Sequence, residues 1–257
     1  MNEEKKEVEI TSSENKKNEK EKMTPSFSNL KMSIETWWKN INKIIDIYLQ
    51  VLLYAIAPLL VVLVLPFIVD RFEATALVTV SMGLIMLISV LAVVYFFVKA
   101  YIAIVLLLKN DFNGEPKELL KQSAPLFWPY IGLSLVVFII VFLWSLLLII
   151  PGIIFAVLYS MVFMVFFFEG LRGMAALKRS KKLVMNHFWQ VLGRSILVNA
   201  ALLLFIALIS PSDRLLLSNE NLYIVWNFVV QIITLLVAPI TLFFYYNIYK
   251  DLKKMEK

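Results

Sequence analysis

From Phe127 to Phe168 the chain runs for 42 residues without a charged side chain. As one helix this stretch would be ~63 Å long at ~1.5 Å per residue, about twice a ~30 Å hydrocarbon core. Pro151-Gly152 lies inside it and supplies a place to reverse. The run therefore predicts a tight hairpin of two membrane helices, closed on its far side by Glu169-Gly170. A basic segment, residues 171–188, follows. On a helical wheel at ~100° per residue its Ala176, Leu177, Ser180, Leu183, Val184 and Phe188 share one half. Lys178, Arg179 and Lys182 share the other, with Arg172 and Lys181 at the borders. That pattern predicts an amphipathic helix lying on the membrane surface.

The remaining chain repeats the theme. Sixty per cent of its residues are hydrophobic and its mean hydropathy is +0.79, against roughly 45–50% apolar residues in soluble domains. This excludes a soluble core and places the chain among all-α polytopic membrane proteins. Six spans are expected, at about 47–69, 74–98, 127–150, 153–168, 189–209 and 223–246. The fourth is the short one: its 16 residues reach only ~24 Å. Residues 1–29 mix lysine and glutamate with almost nothing apolar, which predicts a disordered charged tail. It is not a cleavable signal peptide, because no apolar segment directly follows a basic one there. Residues 30–257 form the membrane domain. Within it, 30–45 read as a second interfacial helix, with Ile34, Trp37, Trp38, Ile41, Ile44 and Ile45 at helical spacing among lysines.

Lysine and arginine in the connections give the orientation. Arg71 and Arg214 fall on one side, and the other 23 cations fall on the side of both termini. The expectation is a multi-pass protein of the plasma (inner) membrane with both termini cytoplasmic. The net charge of +6 belongs to this pattern and not to nucleic-acid binding. Trp37-Trp38, Phe127-Trp128 and Phe188-Trp189 each open a pair of spans, as an aromatic belt does and as three related hairpins would.

Enzyme chemistry finds little to use. There is no cysteine and one histidine, His187. A His-Glu-x-x-His zinc site needs two imidazoles, and an acyl-transfer triad needs a nucleophile, a base and its orienter. No Gly-x-x-x-x-Gly-Lys-Ser/Thr loop is present. No catalytic residue, metal ligand or cofactor is assigned. His187, beside Phe188, reads as an interfacial or helix-capping imidazole.

Polar groups near or inside the spans remain. Lys99 sits at the inner boundary, where its stem can snorkel. Glu169 ends the fourth span, with Lys99 and Arg172 as its expected ion-pair partners, and is expected to anchor the basic helix. Asn199 and Gln231 lie deeper and are expected to hydrogen-bond across the fifth and sixth helices. Lys178, Arg179, Lys181 and Lys182 suit anionic headgroups, each contributing ~1 kcal/mol near the surface.

The order Ile150-Pro151-Gly152-Ile153-Ile154, Glu169-Gly170, Ala175-Ala176-Leu177-Lys178-Arg179-Ser180, His187-Phe188-Trp189 resembles a known family. It is the membrane domain attached to some glycerophosphoryl diester phosphodiesterases and found alone in many bacterial and archaeal membrane proteins. In that family a Pro-Gly turn, an acidic residue closing the next span and an Ala-Leu-x-x-Ser helix before an aromatic pair recur in this order. The match covers about 80 residues. It implies fold and membrane location, and very little about activity. The chain departs from the phosphodiesterase-linked members in having no room for their catalytic domain.

Two readings stay open. One is a non-enzymatic membrane component that organises lipid or a partner membrane protein through its basic helix and tail. The other is a small-solute or lipid carrier or channel whose path passes Ser145, Ser160, Asn199 and Gln231.

Overall fold

The computed structural model describes residues 23–69, 76–210 and 220–256; the tail 1–22, Arg71 and Arg214 lie outside the described residues. Among the described residues ten helices follow one another, with no strand. They are α1 (Ser26–Val69), α2 (Ala76–Lys109), α3 (Pro116–Ser123), α4 (Phe127–Leu147), α5 (Ile149–Leu158), α6 (Val162–Met164), α7 (Gly173–Met185), α8 (Phe188–Ile209), α9 (Glu220–Val237) and α10 (Pro239–Met255). A 3-10 turn, Ala124–Leu126, joins α3 to α4, and a π-helical turn, Val165–Glu169, continues α6. Six stretches are long and apolar enough to cross a membrane: Ser26–Leu65, Val78–Lys109, Pro116–Leu147, Ile149–Glu169, Phe188–Ile209 and Ile224–Met255. The chain is thus an all-α protein of the polytopic membrane class.

The chain divides into two compact units, Asn40–Ser134 and Met1–Lys39 with Leu135–Lys257. In the first, α2 changes character along its length. Val80, Leu84, Leu87, Ile88 and Leu91 are exposed, whereas eight of the nine residues from Ala100 to Leu108 are buried. The buried end receives α3, which presents Leu119, Leu120 and Ser123 inward. Pro116 starts α3 at a position where a missing N–H costs nothing. The reversal before it uses two left-handed residues, Asp111 and Phe112 (φ 51° and 62°), with the Phe112 N–H bonded to the Leu107 carbonyl at 2.8 Å.

In the second unit the hairpin turns at Leu148, the extended residue between α4 and α5 (φ −158°, ψ 140°), and not at Pro151-Gly152 as the sequence suggests. Proline lacks a donor that the first helical turn does not need, so Pro151 is tolerated inside α5. Ile149–Gly152 therefore belong to the fourth span. That span runs Ile149–Glu169, 21 residues, or ~32 Å, and the expected shortfall disappears. Gly152 lies against Ser145 of α4; a Cβ built on it would meet the Ser145 Cα at 2.8 Å. Trp144 stacks on Phe155 just behind the turn, with centroids 4.7 Å apart.

Packing onto protein starts earlier in the chain than the expected boundary at residue 29. Met23 is 8% exposed and Asn29 and Ser33 are fully buried. Charge mixing ends at Lys22, and Met23, Phe27 and Leu30 bring apolar side chains. Nor are the expected interfacial helix 30–45 and the first span separate elements; both belong to α1. The start of α1 follows α10. The Thr24 N–H donates to Asp251 Oδ2 (2.9 Å), Asn247 Nδ2 to Ser33 Oγ (3.2 Å), and the Trp37 indole to the Leu236 carbonyl (2.7 Å). The last bond uses one of the carbonyls left without helical donors where α9 ends. One face of the segment packs on protein, and Lys31, Glu35, Trp38 and Lys39 point outward.

Candidate functional site

Two polar clusters of the second unit hold its helices together, and both centre on an arginine. The first assembles around α7. Ala176, Leu177, Ser180, Leu183 and Val184 are buried, the same face that the helical wheel selects. That face meets protein, α5 and α6, and not the lipid surface expected from sequence. Ser180 Oγ donates to the Leu158 carbonyl at 2.8 Å. Periodicity reports an apolar stripe and is silent about what covers it, so the same pattern serves either environment.

Arg179 leaves the exposed face to make four bonds. Its Nε and Nη2 donate to Glu169 (2.8 and 3.4 Å), and its Nη1 and Nη2 donate to Glu256 (2.6 Å each). The planar fork of a guanidinium suits such two-sided bidentate pairing. The Tyr249 hydroxyl donates to Glu169 Oε1 at 2.8 Å, with Lys253 3.8 Å from the same oxygen and Lys182 3.3 Å from Glu256 Oε1. Glu169 thus contacts the basic helix through Arg179 and not through the expected Arg172. Gly170, left-handed at φ 72°, ends the π turn and lets the chain fold back toward α7. Hydrogen bonding to Glu256 and Glu169 pushes the Arg179 guanidinium up from its ordinary value. The Glu256 carboxyl is held below the usual range, first by its bonds to Arg179 and then by Lys182, against the opposing effect of burial.

The second cluster is one that sequence reasoning misses, since it counts Arg194 only as a topology charge. Arg194 lies in α8, 7% exposed. Its guanidinium donates to Met23 Sδ and to the Thr24 carbonyl, the latter at 2.5 Å. The N–H of the same Thr24 reaches Asp251. A strap of chain before α1 therefore sets the backbone C=O and N–H of Thr24 between a cation of α8 and an anion of α10. The available signal was an arginine inside an apolar run, which is costly unless partnered and marks a site by default. Asp251 was concealed among four neighbouring C-terminal lysines.

Of the α7 lysines, Lys182 reaches the first cluster through Glu256, and among the described residues Lys178 and Lys181 bond to neither cluster. Lys178, Lys181 and Lys182 are exposed on α7. Lys99, in the first unit, is half-buried over the Tyr95 ring at 5.4 Å and lines an open cleft with Tyr54, Glu115, Lys117, Glu118 and Lys121. Asn199 makes the expected cross-helix contact, to the Tyr245 hydroxyl of α10 at 3.2 Å, and also bonds the Ser195 carbonyl at 2.7 Å. Gln231 is exposed on α9, and Ser160 Oγ bonds the Val157 carbonyl at 2.7 Å. His187 caps α8 with its carbonyl, which accepts the Val191 N–H at 3.0 Å; its imidazole makes no cap bond. Each of the three aromatic pairs leaves one indole outside: Trp38, Trp128 and Trp189 are 69%, 76% and 78% exposed, and Phe127 is buried. No family model, curated protein or solved structure matches the chain.

Proposed function

We propose that this integral membrane protein is a non-enzymatic component that holds a cationic surface at the cytoplasmic face of the plasma membrane and organises anionic lipid or a partner membrane protein there. The observation that carries the reading is the mounting of α7. Its apolar face is buried in protein and Arg179 is committed to Glu169 and Glu256, so Lys178, Lys181 and Lys182 are displayed on a fixed helix. The exposed indoles of Trp38, Trp128 and Trp189 suit headgroup depth. The 23-to-2 division of cations supports cytoplasmic termini, and the motif order from Ile150 to Trp189 supports kinship with the phosphodiesterase-linked membrane domains.

Replacing Lys178, Lys181 and Lys182 together by glutamine is expected to weaken enrichment of anionic lipid around the protein in nanodiscs by roughly 3 kcal/mol at low salt. The loss should shrink in 0.5 M salt, where screening weakens such contacts. Equal enrichment in wild type and variant, read by mass spectrometry of co-purified lipid, would remove the basis of the reading. The carrier alternative is separated by single cysteines, which the cysteine-free chain permits. Ser160→Cys and Asn199→Cys are expected to resist an impermeant thiol reagent in oriented vesicles, while Lys121→Cys reacts from the cytoplasmic side. Labelling of either mid-span position would reveal water there and favour transport.

A further inference from the structure

Arg194 is bonded below its capacity. Its described acceptors are a thioether, which is weak, and one carbonyl. Among the described residues its buried Nε has no partner, and neither has the adjacent Ser195 Oγ. Asp251 does not bond the guanidinium; its Oδ2 accepts the Thr24 N–H. Asn29 stands one turn beyond the strap, its N–H bonded to the Pro25 carbonyl at 2.9 Å. It is fully buried, and among the described residues neither of its amide atoms is bonded. A guanidinium N–H and a hydroxyl of α8 and an amide NH2 of α1 are therefore donors without acceptors among the described residues. An anion would supply those acceptors, and a phosphate would add the charge-assisted pairing that a guanidinium favours. Arg194 lies ~9 Å along the axis from Phe188, where α8 begins beside the exposed Trp189. The Trp189 indole suits headgroup depth.

We propose that Arg194 anchors a binding site for a phosphate mono- or diester, with Ser195 and Asn29 as further donors, and that Met23 and Thr24 cover this site as a displaceable strap. The chemistry is shared by a phospholipid headgroup and soluble phosphate. The site is separate from the lysine face of α7 and stands whether or not that face binds lipid.

The test uses the full chain in a detergent with an uncharged headgroup, with thermal unfolding followed at constant ionic strength. Inorganic phosphate and dihexanoyl phosphatidic acid are titrated separately. Wild type is expected to show a saturable rise in midpoint, of roughly 5 °C at ~100 times the dissociation constant. A response to the lipid alone identifies a headgroup site, and a response to both identifies soluble phosphate; either supports the site. Arg194→Gln should abolish the response. Met23→Glu places a carboxylate where the thioether meets the guanidinium, so it should raise the midpoint without ligand and remove the phosphate response. It also decides the question if Arg194→Gln fails to fold. No response in wild type, or an undiminished response in Met23→Glu, overturns the proposal.

Discussion

Arg179→Ala is expected to release α7 from the rest of its unit while leaving the spans inserted. The substitution removes all four bonds to Glu169 and Glu256. It leaves the Glu169 carboxylate, 13% exposed, with Tyr249 and the longer Lys253 contact. Charge-assisted bonds of this kind contribute ~1.5–3 kcal/mol, and breaking one side of a buried pair costs ~3–5. The Arg179 side chain is 21% exposed and that of Glu256 30%, so a value near the lower figures, ~2–3 kcal/mol, is appropriate. At about tenfold per 1.4 kcal/mol this raises the open population roughly 30- to 150-fold. Tryptic cleavage at Lys178, Lys181 and Lys182 reports it directly. Arg179→Lys should recover part of the effect, since an ammonium keeps the charge and loses the fork. Cleavage at the wild-type rate in Arg179→Ala would show that the buried face of α7 holds it alone.

The same clamp gives a pH dependence whose sign is fixed. The folded Glu256 carboxyl titrates below its unfolded value of ~4.3. Its contribution is therefore complete above that value and is lost as pH falls through the folded one. Protease access to α7 should be flat from neutrality to about pH 5 and rise below about pH 4. Glu256→Gln, which removes the titrating group, should flatten the rise. If the rise is instead as steep in Glu256→Gln, another carboxylate controls the opening.

How much of this was legible in the sequence depends on whether the signal was local. Apolar runs interrupted by charge point to six spans and the all-α class, because a chain in lipid must satisfy its backbone within helices. The buried face of α7 was legible residue by residue, from Ala176 to Val184, since it depends only on a ~100° rotation. What covers that face was not, because α5 and α6 and a lipid surface both favour the same side chains. Arg172 is not the residue that pairs with Glu169, for a related reason. Arg172 is near in sequence, whereas Arg179, Tyr249 and Glu256 come together only when α7 and α10 pack. The Arg194–Thr24–Asp251 bridge runs through the backbone N–H and C=O of Thr24, 170 residues from Arg194 and 227 from Asp251, and no spacing rule encodes that. The turn at Leu148 was misplaced because Pro-Gly is strong punctuation in general, yet a proline in the first turn of a helix is equally at home.

That misplacement makes Gly152 a packing residue, and Gly152→Ala is expected to destabilise the hairpin even though glycine-to-alanine changes within helices usually stabilise by ~0.5–1 kcal/mol. The added Cβ would overlap Ser145 Oγ and lie 2.8 Å from the Ser145 Cα. A side-chain oxygen can rotate away, but a Cα moves only with its helix, so α4 and α5 must separate at their shared end. Overpacking of this kind costs ~1–3 kcal/mol, and Gly152→Leu should exceed that range. Gly193 provides the control. It lies in α8, where an added Cβ would meet nothing within 4 Å, so Gly193→Ala should be neutral or slightly stabilising. Ser145→Gly in the Gly152→Ala background removes the Oγ overlap and should restore part of the loss. Thermal midpoints in one detergent separate the cases. Equal behaviour of Gly152→Ala and Gly193→Ala would mean that the two helices do not approach closely at Ser145, and that Pro151-Gly152 is itself the turn.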